Sequence, residues 1–521
     1  MQRGSPTVDR SIAGALTRLA PATLCVQLLS FGSSIALARQ LGATTSTDAY
    51  YLALSVPAVA YAVLIAALRL GGIPILTRLR RETGSDFSAA CSELVSATLS
   101  TATLLSIVVT PVMVIALPLA AAGSPHLTAL TRLFIVELSP YALTGALLGA
   151  LGAILAVCGR FVAATLVLAF EPLLKSLLVL AFGRRLGAQT LVIGSVVGNL
   201  VAVAILWKLV LREGVALRVM AFLASPVVRA IFKLSAPLIV SQSVLQLNPL
   251  IDRTTAASLG PGNVTTFELG VRLFTAPATL MAATLVAPLA ATWSDRLAAA
   301  GWDAVARSYR RVLIAIVTVI PPISSIGFVA RNALVDVIYR GHAYTALDTS
   351  RTAGVFGMLM LGLAAQVLIV PTSTLFVVRS DTIFPMKIGL ANCVLNAALD
   401  VLLRGPFGVA GIAFSTTLTL SILAVAYIWR AQSRWGGLQL GALVGPAARS
   451  LASCAAICIP ATMLLGLVAR STPRVTVVLV LLAVAVIAVI AYGATMLIGR
   501  RGRGARLAIA VKARSRISGG I

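Results

Sequence analysis

Charged side chains interrupt stretches of this sequence that are otherwise as apolar as the interior of a lipid bilayer. Arg272 follows Glu268 by four positions, so the two side chains share one face of a helix. A guanidinium offers a planar fork of donors that fits the oxygens of a phosphate, and a neighbouring carboxylate can hold it in place. Because a charge at the centre of a bilayer costs about 2.5–3.5 kcal/mol on insertion scales, each such residue needs a role or a partner. These residue types predict that an anionic group binds inside a membrane protein.

The residues predicted to bind substrate are charged side chains of the apolar segments, namely Arg272, Asp48, Arg39, Arg69, Glu268 and Asp252. For Glu268 and Arg272 the alternative is a plain ion pair within one helix. Arg69 either lines a cavity or extends its side chain to the cytoplasmic surface. Asp252 and its neighbour Arg253 lie near the outer end of a predicted span, where contact with interfacial water is the alternative.

Two further charged pairs are interpreted as structural. Glu171 and Lys175 are four positions apart and are predicted to form an ion pair along one helix. Asp400 and Arg404 lie near the end of a predicted span, where water at the membrane interface can solvate them.

The segments that carry the acids Asp48 and Glu268 resemble each other. Residues 39–57 read RQLGATTSTDAYYLALSVP, and residues 258–277 read SLGPGNVTTFELGVRLFTAP. Each copy has Leu-Gly, a Thr-rich turn, an acid and then a proline nine positions after the acid. The repeat indicates a duplicated membrane protein in which the two acids face a shared cavity.

The composition is that of a membrane protein. Of the 521 residues, 59% are hydrophobic and 11% are charged, which leaves too little polar surface to cover a soluble protein of this length. Runs of about 20 apolar residues recur along the chain and predict transmembrane helices. The net charge of +26 is attributed to cytoplasmic loops and anionic lipid rather than to nucleic acid.

Hydropathy and charge predict an all-α polytopic protein with about fourteen transmembrane helices and both termini in the cytoplasm. The predicted architecture is two pseudo-symmetric six-helix lobes followed by two C-terminal helices. The predicted spans are residues 12–38, 48–76, 90–121, 130–157, 162–183, 189–211, 235–258, 265–292, 311–333, 350–378, 383–403, 408–430, 444–468 and 475–498. The predicted domains are an N-lobe (1–211), a basic interfacial linker (212–233), a C-lobe (234–432), a helix pair (433–499) and a basic cytoplasmic tail (500–521).

Motifs of catalysis are not found in the sequence. The chain has two histidines, and it lacks a Walker loop, a G-x-S-x-G motif and a cluster of metal ligands. We therefore expect a transporter rather than an enzyme, without a cofactor or a metal centre. Coupling to the membrane potential or to an ion gradient is the expected source of energy.

Several motifs resemble the murein lipid II flippases (MurJ/MviN) of the MOP exporter superfamily. LGATTSTDAYYLALSVP resembles their N-terminal signature. The other matching segments follow in the order of the family: IPIL (73–76), SPYALTGALLGALGAILAVCGRF (139–161), LNPLIDRTTAASL (247–259), FELGVRLFTAP (267–277), YRGHAYTALDTSRTA (339–353) and VVRSDTIFPMKI (377–388).

The resemblance implies a fold of two six-helix lobes around a cavity, with a lipid-tail groove at the last two helices. It implies that the diphosphate and sugars of a lipid-linked glycan cross through a cationic cavity. Asp48, Arg272 and Arg39 match charged positions of the family. The family's first-span arginines align here with Gln27 and Ser33, and further family charges near Tyr61 and Ala66 are absent. The hypothesis is that Arg69 and Arg272 hold the diphosphate instead, with Arg39 as a gate residue.

The predicted function is therefore a flippase for a polyprenyl-diphosphate-linked glycan, lipid II by resemblance, in the bacterial cytoplasmic membrane. The alternatives are a flippase for another lipid-linked polysaccharide unit, an exporter of small cationic drugs, a membrane glycan polymerase and a non-transporting scaffold for envelope assembly. The expected partners are the lipid-linked substrate, membrane lipids and the cell-wall synthesis machinery, without nucleic acid.

Overall fold

A computed structural model describes residues 6–67, 72–82, 86–121, 124–218, 247–381, 383–466 and 473–493. These ranges are almost entirely helical and contain no β-strand. Eleven helical stretches within them are long and apolar enough to cross a membrane. The prediction of an all-α multi-pass membrane protein is thus confirmed, whereas the count of fourteen spans stays a prediction.

The first nine helices cover most of the chain up to residue 212. The predicted span 130–157 is two helices, because Pro140 lies in the first turn of the second one and offers no N–H to the preceding turn. The helices are α1 (Pro6–Leu41), α2 (Thr45–Ala67), α3 (Ile73–Glu82), α4 (Asp86–Ala121), α5 (Pro125–Glu137), α6 (Ser139–Val157), α7 (Phe161–Val167), α8 (Phe170–Leu186) and α9 (Gln189–Arg212).

The second half contains one exceptionally long helical stretch, α11, whose backbone leaves the helical region at Gly301 (φ 71°, ψ −171°). The residues between the predicted spans 265–292 and 311–333 are also helical, on both sides of Gly301. The helices here are α10 (247–257), α11 (Asn263–Tyr339), α12 (Ala346–Val378), α13 (Ile383–Phe407), α14 (Val409–Trp435), α15 (Val444–Gly466) and α16 (Arg474–Gly493).

The chain divides into two compact units. Unit 1 comprises Met1–Arg272, Tyr339–Arg351 and Gly389–Ile412, and unit 2 comprises Leu273–Ile338, Thr352–Ile388 and Ala413–Ile521. Unit 1 thus combines the N-terminal helices with three segments that the sequence assigns to the C-lobe. The boundaries of the predicted lobes themselves stay a prediction.

Each unit has its own apolar core. In unit 1, the fully buried Leu151, Leu155 and Leu206 pack between α3, α4, α6 and α9. In unit 2 the core is aromatic: the Trp293 ring meets that of Tyr309 edge-on at 5.8 Å, and Phe376 packs against Tyr427 at 5.6 Å. Such aromatic pairs add specific geometry to the hydrophobic burial.

The outward faces of the helices are as apolar as the cores. Along α4, for example, large aliphatic side chains are exposed at Leu104, Ile107, Val108, Val112 and Ile115. A soluble helix would carry polar side chains on this face, so the pattern is that of a lipid-facing helix.

Some sequence predictions fall outside the described residues. These are Arg69, the lipid-groove role of residues 467–472 and 494–499, the tail 500–521 and the linker beyond residue 218. The described start of that linker, residues 213–218, is not helical, and its backbone bonds to α4: the Ser92 hydroxyl donates to Ala216 O (3.1 Å) and accepts from Arg218 N (3.1 Å).

Candidate functional site

A small polar cavity of about 90 Å³ lies within unit 1. Five helices contribute to it: α1, α2, α6, α8 and the first part of α11. This volume holds several water molecules or a small anion, and is well below the several hundred Å³ of a typical ligand pocket. The lining residues are Ser30, Ser33, Ser34, Leu37, Tyr50, Tyr51, Leu54, Tyr141, Glu171, Pro172, Lys175 and Arg272.

Serine hydroxyls form the wall of the cavity that α1 contributes. Ser30, Ser33 and Ser34 are three and four positions apart, so they lie on the same face of the helix. Ser33 and Ser34 are buried, and the Ser34 hydroxyl donates to Ser30 O at 3.2 Å. Their small side chains leave the open space, and each hydroxyl is both a donor and an acceptor.

An ion pair on α8 forms the opposite wall. Lys175 Nζ lies 2.5 Å from Glu171 Oε1, which confirms the predicted pair of residues four positions apart. Lys175 also donates to the Tyr50 hydroxyl (3.3 Å), which shares a hydrogen bond with the Ser195 hydroxyl (2.8 Å). Ser195 in turn lies 3.4 Å from Glu171 Oε1. The four side chains form a closed polar ring at the cavity wall.

Glycines on α9 set the position of this ion pair. A Cβ added at Gly194 would lie 2.7 Å from Lys175 Cα, and one added at Gly198 would lie 2.6 Å from Glu171 Cα. Such distances exclude any side chain, so α9 packs directly on the backbone of α8 at these two residues.

Arg272 is the second cation at the cavity. Its Nε is buried, and it has no hydrogen-bond partner among the described residues. The charged groups of the lining are therefore two cations, Arg272 and Lys175, against the single carboxylate of Glu171. Such a site favours an anion, because a buried positive charge is stabilised by a nearby negative one.

The ion-pair partner of Glu268 is Arg253 and not Arg272. The Nε of Arg253 donates to Glu268 Oε1 at 2.6 Å, and its Nη1 donates to the Ser55 hydroxyl at 2.7 Å. Arg253 belongs to α10, so its ion pair joins α10 to Glu268 of α11 and not two turns of one helix. Its hydrogen bond to Ser55 adds a contact with α2. The alternative of a plain intrahelical pair is thus not what the structure shows, and Arg272 lines the cavity.

Asp48 is fully buried against the first turn of α11 rather than among the lining residues of the cavity. Its carboxylate accepts hydrogen bonds from the backbone N–H groups of Gly262 (2.6 Å) and Thr265 (2.8 Å) and from the Thr265 hydroxyl (2.6 Å). Unpaired N–H groups and the helix dipole favour an anion at a helix N-terminus. Asp48 therefore caps α11 from another helix, which the repeat in the sequence did not indicate.

Arg39 lies in the last turn of α1, next to two closely packed loops of unit 1. Its carbonyl accepts from Ala343 N at 3.2 Å, and a Cβ at Gly341 would lie 2.7 Å from Arg39 Cα. Gly42 faces the Ala343 carbonyl so closely that no side chain fits, and its positive φ of 68° suits glycine. Arg39 is thus placed at a backbone junction, not at the cavity.

Asp252 lies in a second polar cluster of unit 1. Asn396 Nδ2 is 2.7 Å from Asp252 Oδ1 and 3.4 Å from Asp400 Oδ2, and all three residues are buried. The interpretation of Asp400 as an interfacial residue is wrong, because none of its surface is exposed. Two adjacent buried carboxylates repel each other when both are charged. Either one of them binds a proton or a cation balances the pair.

The serines of α1 and Asn396 were missed by the sequence reasoning, whereas Asp400 was noted but interpreted as interfacial. The serines of α1 have a signal in their helical spacing, but serine is common in transmembrane helices and the spacing alone is not specific. Asn396 and Asp400 also have helical spacing, four positions apart, yet their partner Asp252 is 144 positions from Asn396. Within the described residues, no group of three or more His, Cys, Asp or Glu side chains is arranged to hold a metal ion.

The long apolar helices, their apolar exterior and the buried charges are those of a multi-pass membrane protein. The family model described as "Lipid II flippase MurJ" matches residues 37–486. The chain belongs to the lipid II flippase MurJ family, as its motifs predicted.

Individual relatives agree with this assignment. A protein of Synechocystis sp. named "Probable lipid II flippase MurJ" is 24% identical over 467 residues, which cover 83% of this chain and 84% of the relative. A solved structure of lipid II flippase MurJ in an inward closed conformation is similar with a TM-score of 0.74 at 16% identity, over 93% of this chain and 99% of that one. An inward-facing multidrug resistance MATE transporter of the MOP superfamily is similar with a TM-score of 0.66 at 14% identity, over 82% and 99%. These two structures share the fold of this chain.

Proposed function

We propose that this protein moves lipid II, a polyprenyl-diphosphate-linked glycan, across the bacterial cytoplasmic membrane by alternating access. The observation that carries the proposal is Arg272, whose buried Nε has no hydrogen-bond partner among the described residues at a polar cavity. A buried donor without a partner is costly, and a phosphate oxygen is a strong acceptor for a guanidinium. Membership of the MurJ family supports lipid II as the substrate.

The remainder of the lining also suits a diphosphate glycan. Hydroxyls of Ser30, Ser33, Tyr50 and Tyr141 surround the space and can donate to phosphate and sugar oxygens. The excess of positive charge disfavours small cationic drugs, which would need an acidic cavity. Because about 90 Å³ is too small for a glycan head group, the cavity has to widen during transport, as alternating access requires.

The cluster of Asp252, Asn396 and Asp400 is the proposed site of energy coupling. Intramembrane carboxylates commonly carry protons or cations in transporters. A proton or a monovalent cation that shields these two carboxylates would link transport to an ion gradient. The site needs no further cofactor.

The orientation and the partners follow from the same proposal. Both termini lie on the cytoplasmic side of a bacterial inner membrane, since this orientation places most of the Lys and Arg residues of the loops in the cytoplasm. The chain acts with membrane lipids and with the cell-wall synthesis machinery that consumes the translocated lipid. Arg69, outside the described residues, is proposed to assist Arg272.

Complementation tests the proposal directly. The endogenous lipid II flippase of a suitable bacterium is depleted, and growth and lipid II translocation are measured with this chain and its variants. We expect rescue by the unmodified chain and a loss of about tenfold or more for Arg272→Gln and for the double variant R69A/R272A. Arg160→Gln is the control, because it breaks an ion pair with Glu213 (2.8 Å) outside the cavity.

Two outcomes would contradict the proposal. Normal transport by R69A/R272A would exclude these arginines as diphosphate ligands. Failure of a well-expressed, membrane-inserted protein to rescue would favour another lipid-linked glycan or a scaffold role.

A further inference from the structure

We propose that Lys175 is a second phosphate ligand of the cavity and that Glu171 is its internal counter-ion, which an incoming phosphate replaces. This inference rests on the proposed transport of a diphosphate lipid and assigns two further residues to it. In this proposal Glu171 neutralises Lys175 until a phosphate binds.

The location of the pair is the first argument. Lys175 and Glu171 line the same open space as Arg272, rather than facing each other within a closed helix interface. Lys175 is nine-tenths buried, so its ammonium has few alternatives to the groups at the cavity wall. Lys175 and Arg272 thus both border the space that an anion would enter.

The balance of charge is the second argument. The lining residues of the cavity include two cations and one carboxylate. A diphosphate adds at least two negative charges, so the carboxylate of Glu171 then becomes the surplus anion and is repelled in a medium of low dielectric constant. Lys175 gains more from the phosphate than from Glu171, since the phosphate carries the greater charge.

The surrounding hydroxyls provide a place for the released carboxylate. Ser195 Oγ already lies 3.4 Å from Glu171 Oε1 and 2.8 Å from the Tyr50 hydroxyl. Ser195 donates this hydrogen bond to Glu171 and Tyr50 can donate to Ser195, and both bonds remain when Lys175 turns to the phosphate. The carboxylate therefore stays hydrogen-bonded, which avoids the cost of an unsatisfied buried charge.

The backbone of the pair is held fixed during this exchange. Gly194 and Gly198 bring α9 onto the Cα atoms of Lys175 and Glu171, as their Cβ distances of 2.7 and 2.6 Å indicate. The exchange thus requires only side-chain rotations, and the affinity of the cavity depends on the competition between Glu171 and the ligand.

Binding of inorganic diphosphate and of undecaprenyl diphosphate to the full-length protein in lipid nanodiscs tests the inference by calorimetry. Glu171→Gln should bind both probes about tenfold more tightly, because the competitor of the phosphate is gone. Lys175→Gln should bind them about tenfold more weakly, whereas Lys175→Arg should stay within about threefold of the unmodified protein. Changes of affinity in opposite directions distinguish the two roles of the pair, because a purely structural pair predicts that both neutral substitutions weaken binding.

The ion pair of Arg160 and Glu213 provides matched controls, since R160Q and E213Q remove the same charges outside the cavity. Neither control should change the affinity for diphosphate by more than about twofold. Weaker or unchanged binding by E171Q would overturn the inference, and this variant retains Lys175 with a neutral partner so that the measurement does not depend on the fate of K175Q. Opposite signs without lipid II transport would uphold the diphosphate site and reject the proposed function. Lipid II transport by a protein in which E171Q and K175Q do not change the affinity in opposite directions would uphold the proposed function and reject this inference.

Discussion

The carboxylate of Glu268 and the guanidinium of Arg253 form a short ion pair, with 2.6 Å between Oε1 and Nε. Only 8% of the Glu268 side chain and 16% of the Arg253 side chain are exposed, so the pair is largely removed from solvent. Arg253 thus engages this carboxylate, whereas Arg272, on the next turn of the same helix, lines the cavity.

Removal of Arg253 should therefore impair both stability and transport. Arg253→Gln leaves a buried carboxylate without its partner, which typically costs about 3–5 kcal/mol for a buried pair. We also expect Glu268 to recruit Arg272 and so to weaken diphosphate binding. The apparent melting temperature and lipid II translocation measure the two effects.

The double variant R253Q/E268Q separates them. Without its charge, residue 268 no longer attracts Arg272, so binding and transport should recover relative to R253Q. Equal transport defects in the single and the double variant would argue against this role of the pair.

Local features of this chain could be predicted from its sequence, and contacts between distant segments could not. The α8 ion pair follows from the four-residue spacing of Glu171 and Lys175. The same rule fails for Glu268 and Arg272, because Arg253 competes successfully from a different helix. Helical spacing defines which partners are possible, whereas tertiary packing decides between them.

Asp48 shows the same limit in another way. The sequence identified it as an acid that requires a role, and its full burial agrees with that. Its partners are backbone groups of residues 262 and 265, more than 200 positions away, and a backbone N–H has no signature in the sequence. The helix on both sides of Gly301 was not predicted for a similar reason, since a charged amphipathic helix and a polar loop have similar compositions.

Asp48 is predicted to stabilise unit 1. In Asp48→Asn, one carboxylate oxygen becomes an amide NH₂ that faces an N–H donor of α11, so at least one of three hydrogen bonds is lost. We expect a loss of about 2 kcal/mol, as for a strong helix cap and a charged hydrogen bond. The apparent melting temperature should fall for D48N and more for D48A.

The control for this prediction is Asp295→Asn, because Asp295 is an exposed acid far along α11. It should leave the melting temperature within error of the unmodified protein. If D48N and D295N melted alike, the capping contact would be of no consequence for stability.

The glycines of α9 should not tolerate even a methyl group. Gly194→Ala and Gly198→Ala would each place a Cβ within 2.7 Å or less of a Cα atom of α8, so the two helices would have to separate. We expect destabilisation by about 1–3 kcal/mol from overpacking, together with weaker diphosphate binding because the Lys175 ion pair moves. Thermal unfolding and calorimetry measure the two effects.

Gly152→Ala in α6 is a matched control, because its Cβ would meet nothing within 4 Å. Alanine favours a helix by about 1 kcal/mol over glycine, so this variant should be neutral or slightly more stable. Destabilisation by G152A equal to that by G194A would attribute the effect to membrane helices in general rather than to the α8–α9 contact.

The carboxylates of Asp252 and Asp400 should determine how transport depends on an ion gradient. Asp252→Asn and Asp400→Asn each remove one of two adjacent buried charges, so the cluster no longer needs a proton or a cation to neutralise it. In proteoliposomes with an imposed sodium or proton gradient, the unmodified protein should translocate lipid II faster with the gradient than without it. Both variants should lose this stimulation, while binding of diphosphate at the separate cavity should change by less than about threefold.

Asp303→Asn, which alters an exposed acid, should retain the stimulation. Gradient-dependent transport that persists in D252N and D400N would place the coupling elsewhere, since neither variant retains the pair of buried carboxylates.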